Sequence, residues 1–216
     1  SKLKNVLIYD NIAGSGGGIA IKSLGADDMV TLENVTVADN QLTGNSGDCG
    51  AGICIQNGSG DINIINSILW GNVDPNSSDA SSIMLTSGAG QNNTLSVTYS
   101  DIEGGWAGTL NKNIDPLFAN PDVGDYSLSE GSECINSGLN DLWNYDIDQT
   151  RTDMGHLGGL FMTSNFTTYD FGTVGLYENM VYLELTNFRS TPIIIDQLSS
   201  SAMGTIWASA DFPLTI

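Results

Sequence analysis

Three stretches of this chain fall on one another residue by residue. Leu3-Lys4-Asn5-Val6-Leu7-Ile8-Tyr9-Asp10-Asn11 returns as Leu32-Glu33-Asn34-Val35-Thr36-Val37-Ala38-Asp39-Asn40, and again as Ile64-Ile65-Asn66-Ser67-Ile68-Leu69-Trp70-Gly71-Asn72. The first return comes after 29 residues and the second after 32. A period of this size marks a solenoid, whose units bury their apolar faces only against their neighbours. A fourth step of 33 residues extends the pattern into columns. Leu3, Leu32, Ile64 and Val97 form one apolar column, and Ile8, Val37, Leu69 and Ile102 another. Asn5, Asn34 and Asn66 form a polar column that becomes Tyr99, and Asn11, Asn40 and Asn72 form one that becomes Gly105. A side-chain amide both donates and accepts, so stacked asparagines can bond from repeat to repeat.

A second strand follows a glycine-rich turn in each repeat. Gly18-Ile19-Ala20-Ile21 matches Gly52-Ile53-Cys54-Ile55 and then Ser82-Ile83-Met84-Leu85. The period-two alternation predicts strands with one buried face. The 26 glycines and the many Asn, Ser and Thr residues suit short strands broken by turns, and no long stretch has helical periodicity. Variable loops are expected at 14–18, 41–50 and 73–81, either as a binding face on one side of the stack or as solvated insertions.

Charge narrows the function classes. Six Lys and Arg against 25 Asp and Glu give a net charge of −19, which repels nucleic acid and anionic membranes. No run of eighteen apolar residues predicts membrane insertion. The three cysteines, Cys49, Cys54 and Cys134, leave open a Cys49–Cys54 bridge or three unpaired thiols. The chain opens on a repeat and ends at Phe212-Pro213-Leu214-Thr215-Ile216 in mid-pattern, so a piece of a longer polypeptide is expected.

Several segments carry a family resemblance. They are Asn66-Ser67-Ile68-Leu69-Trp70-Gly71-Asn72, Val97-Thr98-Tyr99-Ser100-Asp101-Ile102-Glu103-Gly104-Gly105 and Asp115-Pro116-Leu117-Phe118. Gly124-Asp125-Tyr126-Ser127-Leu128, Gly131-Ser132-Glu133-Cys134-Ile135-Asn136-Ser137-Gly138 and Asp148-Gln149-Thr150-Arg151-Thr152-Asp153-Met154-Gly155 follow in order. Together, residues 1–160 resemble the C-terminal coils and cap of a right-handed parallel β-helix of the pectin-lyase-like superfamily, as found in large bacterial surface proteins. Residues 168–216 resemble the start of an ASH-type immunoglobulin-like module, of which the later strands are missing. The resemblance implies an all-β fold: a right-handed parallel β-helix (solenoid) over 1–160 and a partial immunoglobulin-like β-sandwich over 168–216. Residues 158–167 are the expected junction.

Enzymes of that superfamily use clustered acids with a nearby Arg or Lys. Here the two arginines, Arg151 and Arg189, lie off the repeating strands. Asp10 and Asp39 share a column that ends at Gly71, and a stacked pair either holds a cation or is solvated on an outward face. His156 is the single histidine, which excludes a His-rich metal site within this chain. The best metal candidate is Asp146, Asp148 and Asp153, whose alternating carboxylates offer the hard oxygens that Ca²⁺ takes; the competing reading is an ion pair from Arg151 to Asp148 or Asp153. Trp70, Trp106 and Trp143 are candidates to stack on sugars or to pack. Sequons stand at Asn34, Asn57, Asn76, Asn92 and Asn165.

These readings point to a non-catalytic structural, adhesive or filament-forming segment of a secreted or surface protein, extracellular or at the cell surface. Its expected partners are neighbouring copies of itself or surface glycans. Calcium is the one cofactor to test. The alternative is a non-catalytic part of a carbohydrate-active enzyme whose active coils lie upstream.

Overall fold

A computed structural model of the chain describes residues 1–14, 16–43, 50–75, 82–85, 92–141, 144–148 and 150–159, with four short strands beyond them. Four repeats stack. The first holds β1 (Lys2–Tyr9), β2 (Ile12–Ala13) and β3 (Ile19–Leu24), and the second β4 (Met29–Ala38), β5 (Gln41–Leu42) and β6 (Ile53–Gly58). The third holds β7 (Asp61–Ile65), β8 (Ile68–Trp70) and β9 (Ile83–Leu85), and the fourth β10 (Thr94–Thr98) and β11 (Asp101–Ile102). Equivalent strands pair in parallel. One sheet takes β1, β4, β7 with β8, and β10 with β11; another takes β3, β6 and β9; β2 pairs with β5.

The register follows the sequence columns. Leu3 pairs with Leu32, Leu32 with Ile64, and Ile64 with Val97. Ile8, Val37, Leu69 and Ile102 pair in the same way, as do Ile19, Ile53 and Ile83. Leu32, Ile64, Val37 and Leu69 are at most 1 % exposed. Side chains alternate across a strand, so each apolar column turns inward as a unit. One core cluster runs through the stack, from Ile21 and Leu32 to Val97 and Ile102.

The long strand of each repeat is interrupted at equivalent places. Asn5, Asn34, Asn66 and Tyr99 have φ of 53°, 51°, 54° and 52°. Asp10, Asp39 and Gly71 have φ of 52°, 53° and 68°. Asparagine and aspartate tolerate this left-handed conformation better than other side chains, which explains their recurrence. Tyr99 is the exception; its amide donates to Thr109 O at 2.8 Å, and the Arg151 guanidinium stands 5.9 Å from its ring centre. Each interruption leaves the next amide without its ladder partner. Val35 N then donates to Ser67 Oγ and Ser67 N to Ser100 Oγ, both at 3.1 Å.

Asn11, Asn40 and Asn72 form a ladder. Asn11 Nδ2 donates to Asn40 Oδ1 and Asn40 Nδ2 to Asn72 Oδ1, both at 2.9 Å. Asn40 also donates to Ile8 O and Ala38 O, so its amide ties strand ends within and between repeats.

Residues 106–114 cover the fourth repeat. Ile102 N donates to Lys112 O, Lys112 N donates to Ser100 O, and Trp106 packs on the core. Next come β12 (Phe118–Asn120), a 3-10 turn (Pro121–Val123) and β13 (Asp125–Leu128), with β12 and β13 antiparallel. Residues 132–159 then run back beside the stack. Cys134 meets Asp101 of the fourth repeat, Leu139 meets Asn66 of the third, Asp153 meets Asn34 of the second, and Gly158 meets Asn5 of the first. This segment is a strap along the side of the repeats.

Farther on, β14 (Met162–Ser164) pairs antiparallel with β15 (Leu185–Asn187), and β16 (Ile194–Ile195) with β17 (Leu214–Thr215). Otherwise the module expected over 168–216 lies outside the described residues.

Leu69→Ala is expected to lower unfolding free energy by about 2–5 kcal/mol, as core truncations do. Val123→Ala, at a side chain 74 % exposed, should stay within about 0.5 kcal/mol. Urea unfolding of both variants measures the difference; equal costs would mean that the columns do not form the core.

Candidate functional site

The left-handed asparagines hold the strap. Their side chains reach across to its backbone instead of stacking closely. Asn5 Nδ2 donates to His156 O at 3.1 Å and Gly158 O at 2.6 Å. Asn34 Nδ2 donates to Asp153 O at 3.0 Å and Gly155 O at 3.3 Å, and Asn66 Oδ1 accepts from Leu139 N at 2.6 Å. Asn66 and Asn34 make only a 3.5 Å contact with each other. The chain also lies close here: a Cβ on Gly138 would meet Thr152 Cγ2 at 2.4 Å and Asn66 Oδ1 at 2.9 Å, so residue 138 must lack one. Asn34 is fully buried, which puts its sequon out of reach in the folded protein.

The three calcium candidates lie in the strap, and two of them meet. Asp146 is buried; its Oδ2 accepts from Asp153 N at 2.7 Å and its Oδ1 from Gly159 N at 2.5 Å. Asp153 Oδ1 accepts from Asn136 N at 2.7 Å. The Asp146 and Asp153 carboxyls also hydrogen-bond to each other. Two carboxylates cannot do this without a proton between them, because the ionised form only accepts. Burial, then the neighbouring Asp153 charge, pushes Asp146 up to about 7. Burial also raises Asp153. Asp148 turns away: its Oδ1 accepts from Thr150 N at 2.9 Å and Thr150 Oγ1 at 2.7 Å, bonds that hold its carboxyl below the usual range. Among the described residues no group of three or more His, Cys, Asp and Glu side chains is placed to hold a metal ion. The expected Arg151 ion pair does not form among the described residues. Its guanidinium donates to Gly138 O and Ser137 O and stands over Tyr99, pointing to the carbonyls of the strap rather than to its carboxylates.

A second buried acid was not expected. Asp101 sits in register with Ile68, Thr36 and Leu7, and is fully buried. Its Oδ1 accepts from Ile114 N at 3.1 Å, and the Cys134 thiol donates to its Oδ2 at 3.4 Å. Burial raises Asp101 to about 6, and burial and the Asp101 charge push the Cys134 thiol up. A protonated, buried thiol is a poor nucleophile, and the Cys134 contacts to Asp101 and Ser132 anchor the strap. The signal in the sequence was an aspartate in an otherwise uncharged strand column. Cys134 is a free thiol and Cys54 is disulfide-bonded; Cys49 lies outside the described residues.

The stacked acids Asp10 and Asp39 both face outward. Asp39 Oδ2 accepts from Tyr126 OH at 2.7 Å, which joins the β12–β13 hairpin to the second repeat. Burial and this acceptor raise the Tyr126 phenol. The Tyr126 ring lies 5.0 Å from that of Tyr9 and 5.0 Å from that of Phe118. Tyr9 is 42 % exposed, so an aromatic surface with two carboxylates beside it reaches solvent. A cavity of about 140 Å³ lies between hairpin and strap, lined by Thr36, Ile68, Tyr126, Ser127, Met154 and His156 among others. His156 approaches Thr36 Oγ1 through its amide at 3.0 Å and its Nδ1 at 3.1 Å; burial lowers its pKa, so the ring is neutral near pH 7. Of the candidate sugar-stacking residues, Trp70 packs against the Ile68, Cys134 and Met154 cluster and Trp106 against the main core, while Trp143 lies outside the described residues.

No family model, no curated protein and no solved structure matches the chain.

The carboxyl pair makes stability depend on pH. An acid whose folded pKa lies above its unfolded value of about 3.9 holds more protons when folded, so stability falls as pH rises between the two values. Asp101 and Asp146 should therefore erode stability from about pH 4 to pH 7. Asp153→Asn keeps an acceptor for Asn136 N and supplies an amide N–H in place of the shared proton, leaving Asp146 charged. Urea midpoints across this range should decline less in D153N than in the parent chain. An equal decline in both would show that the pair does not share a proton.

Proposed function

We propose that the repeats within residues 1–105 are parallel coils of a right-handed β-helix, closed by residues 106–159 and serving a structural and adhesive role, outside the cell, in a large secreted or surface protein. The observation that carries this reading is the strap, tied by asparagine side chains to three successive repeats. A chain that binds its own repeats along their length resists bending and local opening, which suits a stalk. The buried acids fit the same use. Asp101 accepts the Ile114 N–H of the covering segment, and Asp146 accepts the Asp153 and Gly159 N–H groups within the strap, as braces do. The acidic surface suits a soluble exterior element.

Tyr9 favours an adhesive contribution. An exposed ring flanked by Asp10 and Asp39 offers an apolar face and hydrogen-bond acceptors together, the combination that holds a sugar ring. Surface glycans are therefore the partner class that best fits this face, with neighbouring copies as the other. The carbohydrate-active enzyme remains the competing class, with its chemistry placed on other coils.

A glycan array paired with a product assay separates the two. The purified chain should retain neutral glycans, with retention reduced on Tyr9→Ala, and should release no unsaturated or reducing product from pectin or alginate. Product absorbance that grows with protein concentration would overturn the non-catalytic reading, and retention untouched by Y9A would remove Tyr9 from the contact.

A further inference from the structure

One carboxylate of the second repeat faces two lysines of the first. Glu33 on β4 has Lys4 on β1 as its register partner, and Lys2 stands two residues away on the same face. Lys4 Nζ lies 2.8 Å from Glu33 Oε1, and Lys2 Nζ lies 2.5 Å from Glu33 Oε2. The Glu33 side chain is 11 % exposed and that of Lys4 25 %. Burial pushes the Glu33 carboxyl up, but the hydrogen bonds and charges of Lys2 and Lys4 outweigh it and hold the group below the usual range. Glu33 is therefore ionised near pH 7. One lysine would neutralise it, yet two are present.

The strap brings a third partner. Lys4 Nζ also donates to Asn144 Oδ1 at 3.1 Å, across 140 residues of chain. The Asn144 amide is itself held from behind: its Nδ2 donates to Asp141 Oδ2 at 3.2 Å, and Asn144 N donates to Asp141 O at 2.9 Å. An amine, a carboxylate able to take its proton and a side-chain amide thus meet within hydrogen-bond reach in one half-buried place. Groups held within about 3–3.5 Å of each other react as if they were highly concentrated. The lysine stem is flexible, so Nζ needs only to swing from Oδ1 onto the face of the Asn144 Cγ.

We propose that Lys4 and Asn144 join in an intramolecular isopeptide bond, with Glu33 as the proton carrier. Glu33 takes a proton from the Lys4 ammonium and leaves a neutral amine. The amine lone pair forms the Nζ–Cγ bond, and the Cγ–Nδ2 bond of Asn144 breaks with its electron pair on nitrogen. Glu33 returns the proton it holds to that nitrogen, and Nζ gives up a second one to it. The departing group leaves as ammonium beside Asp141, and Glu33 is a carboxylate again. No oxidant, reductant or co-reactant is consumed. Lys2 then remains as the counter-ion of Glu33, which accounts for the second lysine. The new bond ties the first repeat to the strap covalently, where Asn5, Asn34 and Asn66 tie it by hydrogen bonds. The bond follows from this contact geometry and not from the function proposed above, so either can fail alone.

Tryptic digestion and tandem mass spectrometry of the whole chain, reduced and alkylated after overnight incubation, test the bond. A linked Lys4 resists trypsin, so residues 3–22 should appear joined to residues 113–151, lighter than their sum by one ammonia. Lys4→Arg and Asn144→Ala should each abolish the joined peptide. After dilution from urea, Glu33→Gln should form it about a hundredfold more slowly than the parent chain, the scale of a lost proton-transfer group. Glu33→Asp, which keeps a carboxylate, should recover part of that rate. The parent digest decides the bond whether or not a variant folds. Complete cleavage after Lys4 with no joined peptide would overturn the proposal. So would an ammonia loss confined to Asn57, where the following Gly58 allows cyclisation without a cross-link. Equal rates in Glu33→Gln and the parent would overturn the role given to Glu33.

Discussion

The long strand of each repeat breaks at a left-handed residue, and much of the side-chain chemistry repairs what the breaks leave. A residue at positive φ cannot continue the ladder, so the amide after it loses its regular acceptor. An unpaired buried N–H costs about as much as a lost hydrogen bond. Ser67 and Ser100 repair one set of breaks, and the Asn40 and Asn72 amides another. The breaks also free the Asn5, Asn34 and Asn66 side chains from the strand face. Freed, they bind the strap.

The acids divide by the same logic. Asp101 is buried where the covering segment leaves its bridge to the fourth repeat and takes the Ile114 N–H, and Asp146 is buried where the strap turns back on itself and takes the Asp153 and Gly159 N–H groups. Burial raises both pKa values, and for Asp146 the neighbouring carboxyl adds to the shift. Asp148, exposed and satisfied by its own turn, shifts the other way. Asp146 and Asp148, two residues apart, thus carry different roles, set by exposure.

Much of the stack was legible from periodicity. The columns of Leu3 and Ile8 and the strand of Ile19 pair residue for residue as spacing predicts, because a buried column tolerates little but aliphatic side chains. The asparagine columns were visible too, but their roles were not. Both looked like ladders. Only Asn11, Asn40 and Asn72 stack amide on amide, because Asn5, Asn34 and Asn66 meet a segment that lies more than seventy residues downstream of Asn66. Nothing local marks such a partner. The same limit hid Asp101 with Cys134 and Asp39 with Tyr126, and it sent Arg151 to the carbonyls of Ser137 and Gly138 when its nearest carboxylates in sequence suggested an ion pair. Short-range spacing describes the stack well and the strap poorly.

The direction of the amide ladder bears on how the chain is made. Synthesis releases the first repeat before the second, and the second before the third. Each repeat therefore emerges with N–H groups whose side-chain acceptors have yet to be translated. Asn11 waits for Asn40, Asn40 for Asn72, and Asn5, Asn34 and Asn66 wait for the strap. Completion runs against the order of synthesis: the first repeat stays incompletely bonded until residues 132–159 have left the ribosome and folded back.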